Sequence, residues 1–330
     1  MKALVYKGKK TLEYCDSADP TAKDGEVLIR VESVGICGSD MHAFLGHDER
    51  RPAPLILGHE AAGTVISGEM KGKRVTVNPL VTCTECEYCL SGRDNLCPSR
   101  QIISMPPRQG AFAEFISMPP RNLVEIPDGV SFDDAALTEP LACGWHAVRI
   151  GLGALHESVV KARTTVIGGG AIGLGVALCL KEAGVGSIEL LENNDQRRMY
   201  LSRFKDDILT FNASGAGTGQ SDIVFDCAGF SATRELAVAS VKPGGVVVHI
   251  GLGDNTGNPG IRRITLQEIT FIGTYTYTRS DFQETARALF DGRLGSLDWT
   301  EKAPLASGQE IFSRLLAGQV AAPKVILKPN

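Results

Sequence analysis

The run Gly168-Gly169-Gly170-Ala171-Ile172-Gly173 follows the apolar segment Thr164-Thr165-Val166-Ile167 and opens a stretch in which Ala171, Leu174 and Leu178 recur at helical spacing. A buried strand, a glycine turn and an amphipathic helix in that order leave few folds open. The rhythm repeats. Ser187-Ile188-Glu189-Leu190-Leu191, Asp222-Ile223-Val224-Phe225-Asp226 and Val246-Val247-Val248-His249-Ile250 read as further strands, the last two ending in glycine-containing turns. Strands alternating with helices build a parallel sheet, so this part of the chain is α/β.

A glycine-rich turn alone needs no ligand. Between strand and helix the glycines divide the work. Gly168 permits the tight turn, Gly170 lets the backbone approach a pyrophosphate, and Gly173 lets the helix lie close on the strand. The helix start adds free N–H groups and a positive dipole end for the phosphates. Gly168, Gly170, Ile172 and Gly173 are therefore the expected dinucleotide contacts. Glu192 ends the next strand, 19 residues beyond Gly173, where an acid binds the adenosine ribose hydroxyls. A carboxylate there repels a 2′-phosphate, which favours NAD over NADP. Arg197 is close enough in sequence to accept such a phosphate. With Glu192 in the discriminating position, its expected role is stacking on the adenine.

The first third of the chain reads as β. Val27, Ile29 and Val31 alternate with Leu28, Arg30 and Glu32, and Thr64-Val65-Ile66 and Arg74-Val75-Thr76-Val77 are short strand-like runs. A polar segment at about 80–100 carries Cys83-Thr-Glu-Cys86-Glu-Tyr-Cys89 and, after seven intervening residues, Cys97. Four thiols so spaced can close around a tetrahedral zinc, and metal rather than burial is expected to hold this lobe. A disulfide framework fits poorly, since the other cysteines are scattered singly and no signal peptide is read. With a net charge of -4 the chain lacks the footprint of a nucleic-acid binder. No apolar run reaches the ~20 residues of a membrane span. A cytoplasmic globular protein is expected.

Upstream stand Gly35-Ile36-Cys37-Gly38-Ser39-Asp40-Met41-His42 and Gly58-His59-Glu60, and Thr138-Glu139-Pro140-Leu141-Ala142 follows the cysteine lobe. A reactive zinc takes about three N, S or O ligands and keeps a position open. These motifs, the four-cysteine lobe and the nucleotide fingerprint occur together in family order over essentially the whole chain. In this the protein resembles the zinc-dependent medium-chain dehydrogenases, the superfamily of zinc alcohol dehydrogenases, and most closely its sorbitol and polyol dehydrogenase-like branch.

The resemblance implies a GroES-like β-rich catalytic domain at 1–147, a Rossmann NAD-binding domain with a doubly wound parallel sheet at 148–275, and a segment at 276–330 that returns to the catalytic domain. It implies that Cys37 and His59 ligate a catalytic zinc, with Glu60 as ligand or exchanging neighbour and Glu139 as a further candidate. Asp40 would orient His59. Ser39 and His42 would relay the alcohol proton towards solvent. Cys83, Cys86, Cys89 and Cys97 would hold a second, structural zinc. Zinc would polarise the substrate oxygen and the alkoxide carbon would deliver hydride to NAD. Closed homodimers or homotetramers are implied as well.

Glu139 points to secondary alcohols and polyols. Branch members carry Phe-Arg-Tyr after the last Rossmann strand, whereas this chain has Tyr275-Thr276-Tyr277. A threonine dehydrogenase-like hydroxy- or amino-acid dehydrogenase is the alternative, although such enzymes carry aspartate at the position of Glu139. A non-catalytic relative would have lost its reactive ligands first, and Cys37, Ser39, His59 and Glu60 are all present. The charged segment from Phe44 to Pro54 reads either as a selector of polar substrates or as a solvated loop. Phe112 and Trp145 read as pocket walls or core. His146, His156 and His249 form no ligand pattern. Ser-Met-Pro-Pro-Arg occurs at 104–108 and again at 117–121, read as a coincidence of two loops. After about 275, a helix is expected over Asp281 to Asp291, and Val325-Ile326-Leu327 reads as an edge strand.

Overall fold

The strand Val27–Gly35 buries Val27, Ile29 and Val31 and leaves Leu28, Arg30 and Glu32 less covered, as a period of two requires. From Ser33 onward every residue is buried, because neighbours flank the strand on both sides. This computed structural model describes residues 1–213 and 219–329. It divides into two units: Met1–Glu139 with Thr278–Gly292 and Leu297–Asn330, and Pro140–Tyr277 with Arg293–Ser296.

In the first unit, a sheet of the described residues runs Leu123–Glu125, Arg74–Val77, Glu60–Val65, Val27–Gly35, Lys324–Lys328, Thr300–Pro304 in spatial order. Phe115–Met118 also pairs with the first half of Val27–Gly35. The run Val325-Ile326-Leu327 is thus interior rather than an edge: it pairs antiparallel with Val34 and Gly35 and in parallel with Thr300–Pro304. Three consecutive apolar residues without alternation are what a strand covered on both sides needs. The edge belongs to Thr300–Pro304, whose Glu301 and Lys302 suit a solvated sheet border.

The expected helix near 281 runs Arg279–Phe290 and starts on a capping box. The Thr278 hydroxyl accepts from the Asp281 N–H at 3.1 Å, and the Asp281 carboxylate accepts from the Thr278 N–H at 3.2 Å. The two Ser-Met-Pro-Pro-Arg copies adopt different structures. The first is a turn with Ser104 at φ 69°; the second ends the strand Phe115–Met118 and enters a 3-10 turn at Pro120–Asn122. One carboxylate joins them, Glu26 accepting from Arg108 at 2.7 Å and from the Ser117 hydroxyl at 2.6 Å.

The second unit holds a parallel sheet in the order Leu209–Asn212, Ser187–Leu191, Arg163–Ile167, Ser221–Asp226, Val241–His249, Thr270–Gly273. Its order reverses between Arg163–Ile167 and Ser221–Asp226, which places a topological switch point at their carboxyl ends. Leu174 and Leu178 of the helix Ala171–Glu182 are buried, as their spacing predicts. Ile167, Val224, Ala237 and Val247 share one core cluster, and each fully buried large aliphatic contributes about 1.5–3 kcal/mol. The strand Val241–His249 begins five residues before the expected Val246. A register shift between the Ser221–Val241 and Ile223–Val246 pairs absorbs the Pro243-Gly244-Gly245 run that reads as a turn.

Candidate functional site

The four cysteines come together. Sγ atoms of Cys83 and Cys89 lie 3.9 Å apart, those of Cys86 and Cys89 3.5 Å, and those of Cys97 and Cys83 3.5 Å. Four thiolates about 2.3 Å from one zinc stand ~3.8 Å from each other, so this set fits a closed tetrahedral ion. None of the four is disulfide-bonded. One helical turn at Glu87–Leu90 and a 3-10 turn at Asp94–Leu96 leave Leu90 and Leu96 exposed. Hydrogen bonds from the Glu85 and Cys86 backbone hold the Cys83 thiol down at about 6, while burial pushes Cys89 up to about 12.

A second group forms where the strand Val27–Gly35 ends. Cys37 caps the helix Gly38–Phe44, Glu60 begins the neighbouring strand Glu60–Val65, and His59 stands just before it. Their ligand atoms all lie within 4.8 Å of one another. Room for the Glu60 carboxylate exists because residue 35 is glycine: a Cβ there would lie 1.9 Å from Glu60 Oε2. Gly58 adopts φ 87° to turn the chain into His59, and its N–H donates to Asp40 Oδ1 at 3.1 Å. Asp40 also accepts from the Cys37 N–H at 2.9 Å. Its Oδ1 stands 3.6 Å from His59 Nδ1, too long for a hydrogen bond but on the side that leaves Nε2 for the group. Burial alone pulls His59 down, yet the Asp40 and Cys37 charges raise it well above the usual histidine range. An N/S/O set of this kind, with His59 and Glu60 buried, fits a zinc ion.

Glu139 is buried in the first turn of the helix Thr138–Gly153 and is not among the residues within that 4.8 Å. Its charge is among those that raise the pKa of Lys324. Lys324, which sequence reasoning passed over, is 3% exposed and donates to Glu60 at 2.5 and 2.7 Å and to the Ile36 carbonyl at 2.9 Å. Burial would lower its pKa, but Glu60, Cys37 and Glu139 raise it. No local pattern marks it, since its partners lie at the other end of the chain.

Ser39 and His42 are half-buried on the helix Gly38–Phe44, three residues apart and so on one face. Burial, then His47 and Arg51 against Asp48, lowers the His42 pKa and favours the neutral ring that can accept a proton. Phe112 is fully buried and meets Phe312 edge-on at 6.0 Å, so it belongs to the core; Trp145 is half-buried.

In the second unit the glycine turn has the geometry that its sequence predicts. Gly168 sits at φ 100°; a Cβ on Gly173 would lie 1.7 Å from the Gly168 carbonyl oxygen; Gly170 faces open space where a phosphate would approach. Gly170 precedes the helix Ala171–Glu182, whose first turn includes the half-buried Ile172. The Glu192 carboxylate lies over this turn, accepting from the Gly169 N–H at 2.9 Å and the Asn194 N–H at 2.7 Å. Arg197 follows in the helix that Asn194 caps, donating its own N–H to the Asn194 side chain at 2.9 Å. The turn and this carboxylate suit a dinucleotide carrying free ribose hydroxyls.

Comparison with known proteins bears on both sites. Residues 23–128 match the alcohol dehydrogenase GroES-like domain, and residues 171–291 match the zinc-binding dehydrogenase family. Sorbitol dehydrogenase of Bacillus subtilis is 31% identical over 350 aligned positions, covering 100% of this chain and 98% of its own. L-galactonate-5-dehydrogenase of Escherichia coli is 30% identical over 330, covering 95% of each. The structure of 2R,3R-butanediol dehydrogenase from Bacillus subtilis superposes with a TM-score of 0.85 at 25% identity, covering 100% of this chain and 99% of the other.

Proposed function

The chain belongs to the zinc-dependent medium-chain alcohol dehydrogenases, and from that premise we propose that it oxidises a secondary alcohol or polyol to the ketone with NAD as hydride acceptor. The observation that carries this reading is the convergence of Cys37, His59 and Glu60 within 4.8 Å, with His59 and Glu60 buried. Zinc held there supplies Lewis acidity towards a substrate oxygen, and the nicotinamide ring supplies the hydride acceptor. Cys37, His59 and a carboxylate from Glu60 or Glu139 would hold the metal, and Asp40 keeps the imidazole turned. Ser39 takes the alcohol proton and passes it towards His42, whose pKa burial lowers. Loss of one proton from oxygen and one hydride from carbon leaves the carbonyl product.

At the other site Gly168, Gly170, Ile172 and Gly173 cradle the pyrophosphate, and Glu192 accepts the adenosine ribose hydroxyls while Arg197 packs on the adenine. A 2′-phosphate would bring negative charge against the Glu192 carboxylate. Assaying polyols, diols and hydroxy acids with each cofactor tests the reading. We expect kcat/KM to favour NAD by roughly 10–100-fold, a difference of about 1.4–2.7 kcal/mol. Equal or better use of NADP would remove Glu192 from its role, and turnover confined to hydroxy acids would overturn the polyol assignment.

A second zinc in the four-cysteine lobe completes the proposed cofactor set, two per chain. The protein works in the cytoplasm, where its thiols stay reduced, a placement that cell fractionation tests. It does so as a closed dimer or tetramer. Thr270–Gly273 ends the parallel sheet with its outer edge unpaired among the described residues and with Phe271 and Ile272 half-covered, which suits pairing with a second copy. Light scattering is expected to give a multiple of 35.2 kDa, and a particle of that mass at micromolar concentration would exclude the assembly.

A further inference from the structure

The segment from Phe44 to Pro54 reads as a solvated loop or a substrate selector, and its second arginine is neither. Arg51 is 3% exposed. Its Nε donates to the Ser104 carbonyl at 3.0 Å, and its Nη1 donates to the Ser39 carbonyl at 2.9 Å and to Asp48 Oδ2 at 3.0 Å. The Asp48 side chain is itself 8% exposed, so the charge is neutralised where it lies. One guanidinium thus ties together three segments: its own loop, the first turn of the helix Gly38–Phe44, and the first Ser-Met-Pro-Pro-Arg turn. That turn is anchored at its far end, where Arg108 donates to Gln101 at 2.8 Å and to Glu26 at 2.7 Å. Ser104 is held at φ 69°, a conformation that costs a residue with a side chain about 1–3 kcal/mol and persists only where the surroundings impose it.

We propose that Arg51 is a positioning residue for the reaction. By gripping the Ser39 carbonyl from a braced turn, it sets how far the Ser39 hydroxyl reaches from the Cys37–His59–Glu60 group. A planar fork bridging two carbonyls while facing a carboxylate has no equivalent in lysine, which offers a point charge. The proposal rests on the reading of Ser39 as the proton acceptor.

The test uses the zinc-loaded enzyme. Arg51→Lys keeps the charge opposite Asp48 and loses the bridge. Its kcat is expected to fall roughly 10–100-fold, since a displacement of about 1 Å among reacting groups costs about 10²-fold. Zinc content and the NADH dissociation constant should stay at parent values, and the solvent deuterium isotope effect on kcat should rise. The double variant with Ser39→Ala should be no slower than Ser39→Ala alone, because both act through one hydroxyl. Parent kcat in Arg51→Lys alongside a slow Ser39→Ala would overturn the proposal. So would a loss of kcat that tracks lost zinc or weakened NADH binding. A Ser39→Ala enzyme with parent kcat would strike down the Ser39 reading first, and the role of Arg51 with it. If Arg51→Lys gives no folded protein, Asp48→Asn loosens the guanidinium without touching either carbonyl. It must then show the same split at smaller size, and its failure to do so counts against Arg51 equally.

Discussion

Cys37→Ala is expected to leave one zinc per chain in place of two and to turn over at less than about a thousandth of the parent rate. A metal acting on a substrate oxygen contributes several kcal/mol to the transition state, and about 4 kcal/mol is about 10³-fold in rate. Cys37 is the one thiol among the three residues that meet within 4.8 Å. Without it two donors remain, and one of them, Glu60, is already engaged by Lys324 at 2.5 and 2.7 Å. A reactive zinc takes about three protein ligands, so two do not retain it. The four cysteines form a separate donor set and are expected to keep their own ion. Metal analysis beside steady-state rates decides the matter: a Cys37→Ala protein that still held two zincs and turned over would overturn the site. A parent with one zinc, retained in the variant, would restrict metal to the lobe.

Lys324→Met should have the largest effect on stability. Glu60 and Lys324 have side chains 1% and 3% exposed, and removing one member of such a pair leaves an uncompensated buried charge. That typically costs about 3–5 kcal/mol. The loss should be read on chelated protein by urea unfolding, and it should shrink when zinc is restored, because the ion supplies the missing positive charge beside Glu60. The double variant Glu60→Gln with Lys324→Met should recover most of it. A chelated Lys324→Met protein with the parent midpoint would mean that Glu60 carries no charge in the folded state.

What the sequence made legible follows from how far each signal reaches. The glycine turn and the four cysteines are local patterns, and spacing alone predicts a tight turn at Gly168, which sits at positive φ, and close packing at Gly173, where a Cβ would meet the Gly168 carbonyl. Cys37 and His59 meet because adjacent antiparallel strands deliver them, with Gly35 opposite Glu60 in the register. Lys324 and Arg51 could not be read in this way. A lysine opening a terminal apolar run and an arginine in a charged loop both look solvated. Only tertiary pairing shows that each is buried and bonded to backbone carbonyls. The polar strand Thr300–Pro304 escaped for a related reason, since an edge needs no apolar alternation. The Ser-Met-Pro-Pro-Arg repeat is one sequence in two conformations, selected by the partners of Arg108 and Ser117 rather than by local preference.

The insertion of Lys324–Lys328 beside Val27–Gly35 also imposes an order on synthesis. Glu60 emerges from the ribosome 264 residues before the lysine that neutralises it. Throughout that interval the nascent chain carries an acid and a thiol with no resident cation, while the parallel sheet encoded between them can already complete itself. An ion bound there early and a strand inserted late would compete to quench one carboxylate. A premature stop before residue 324 would release a protein with its second unit whole and its first unit short of both an interior strand and the lysine paired with Glu60.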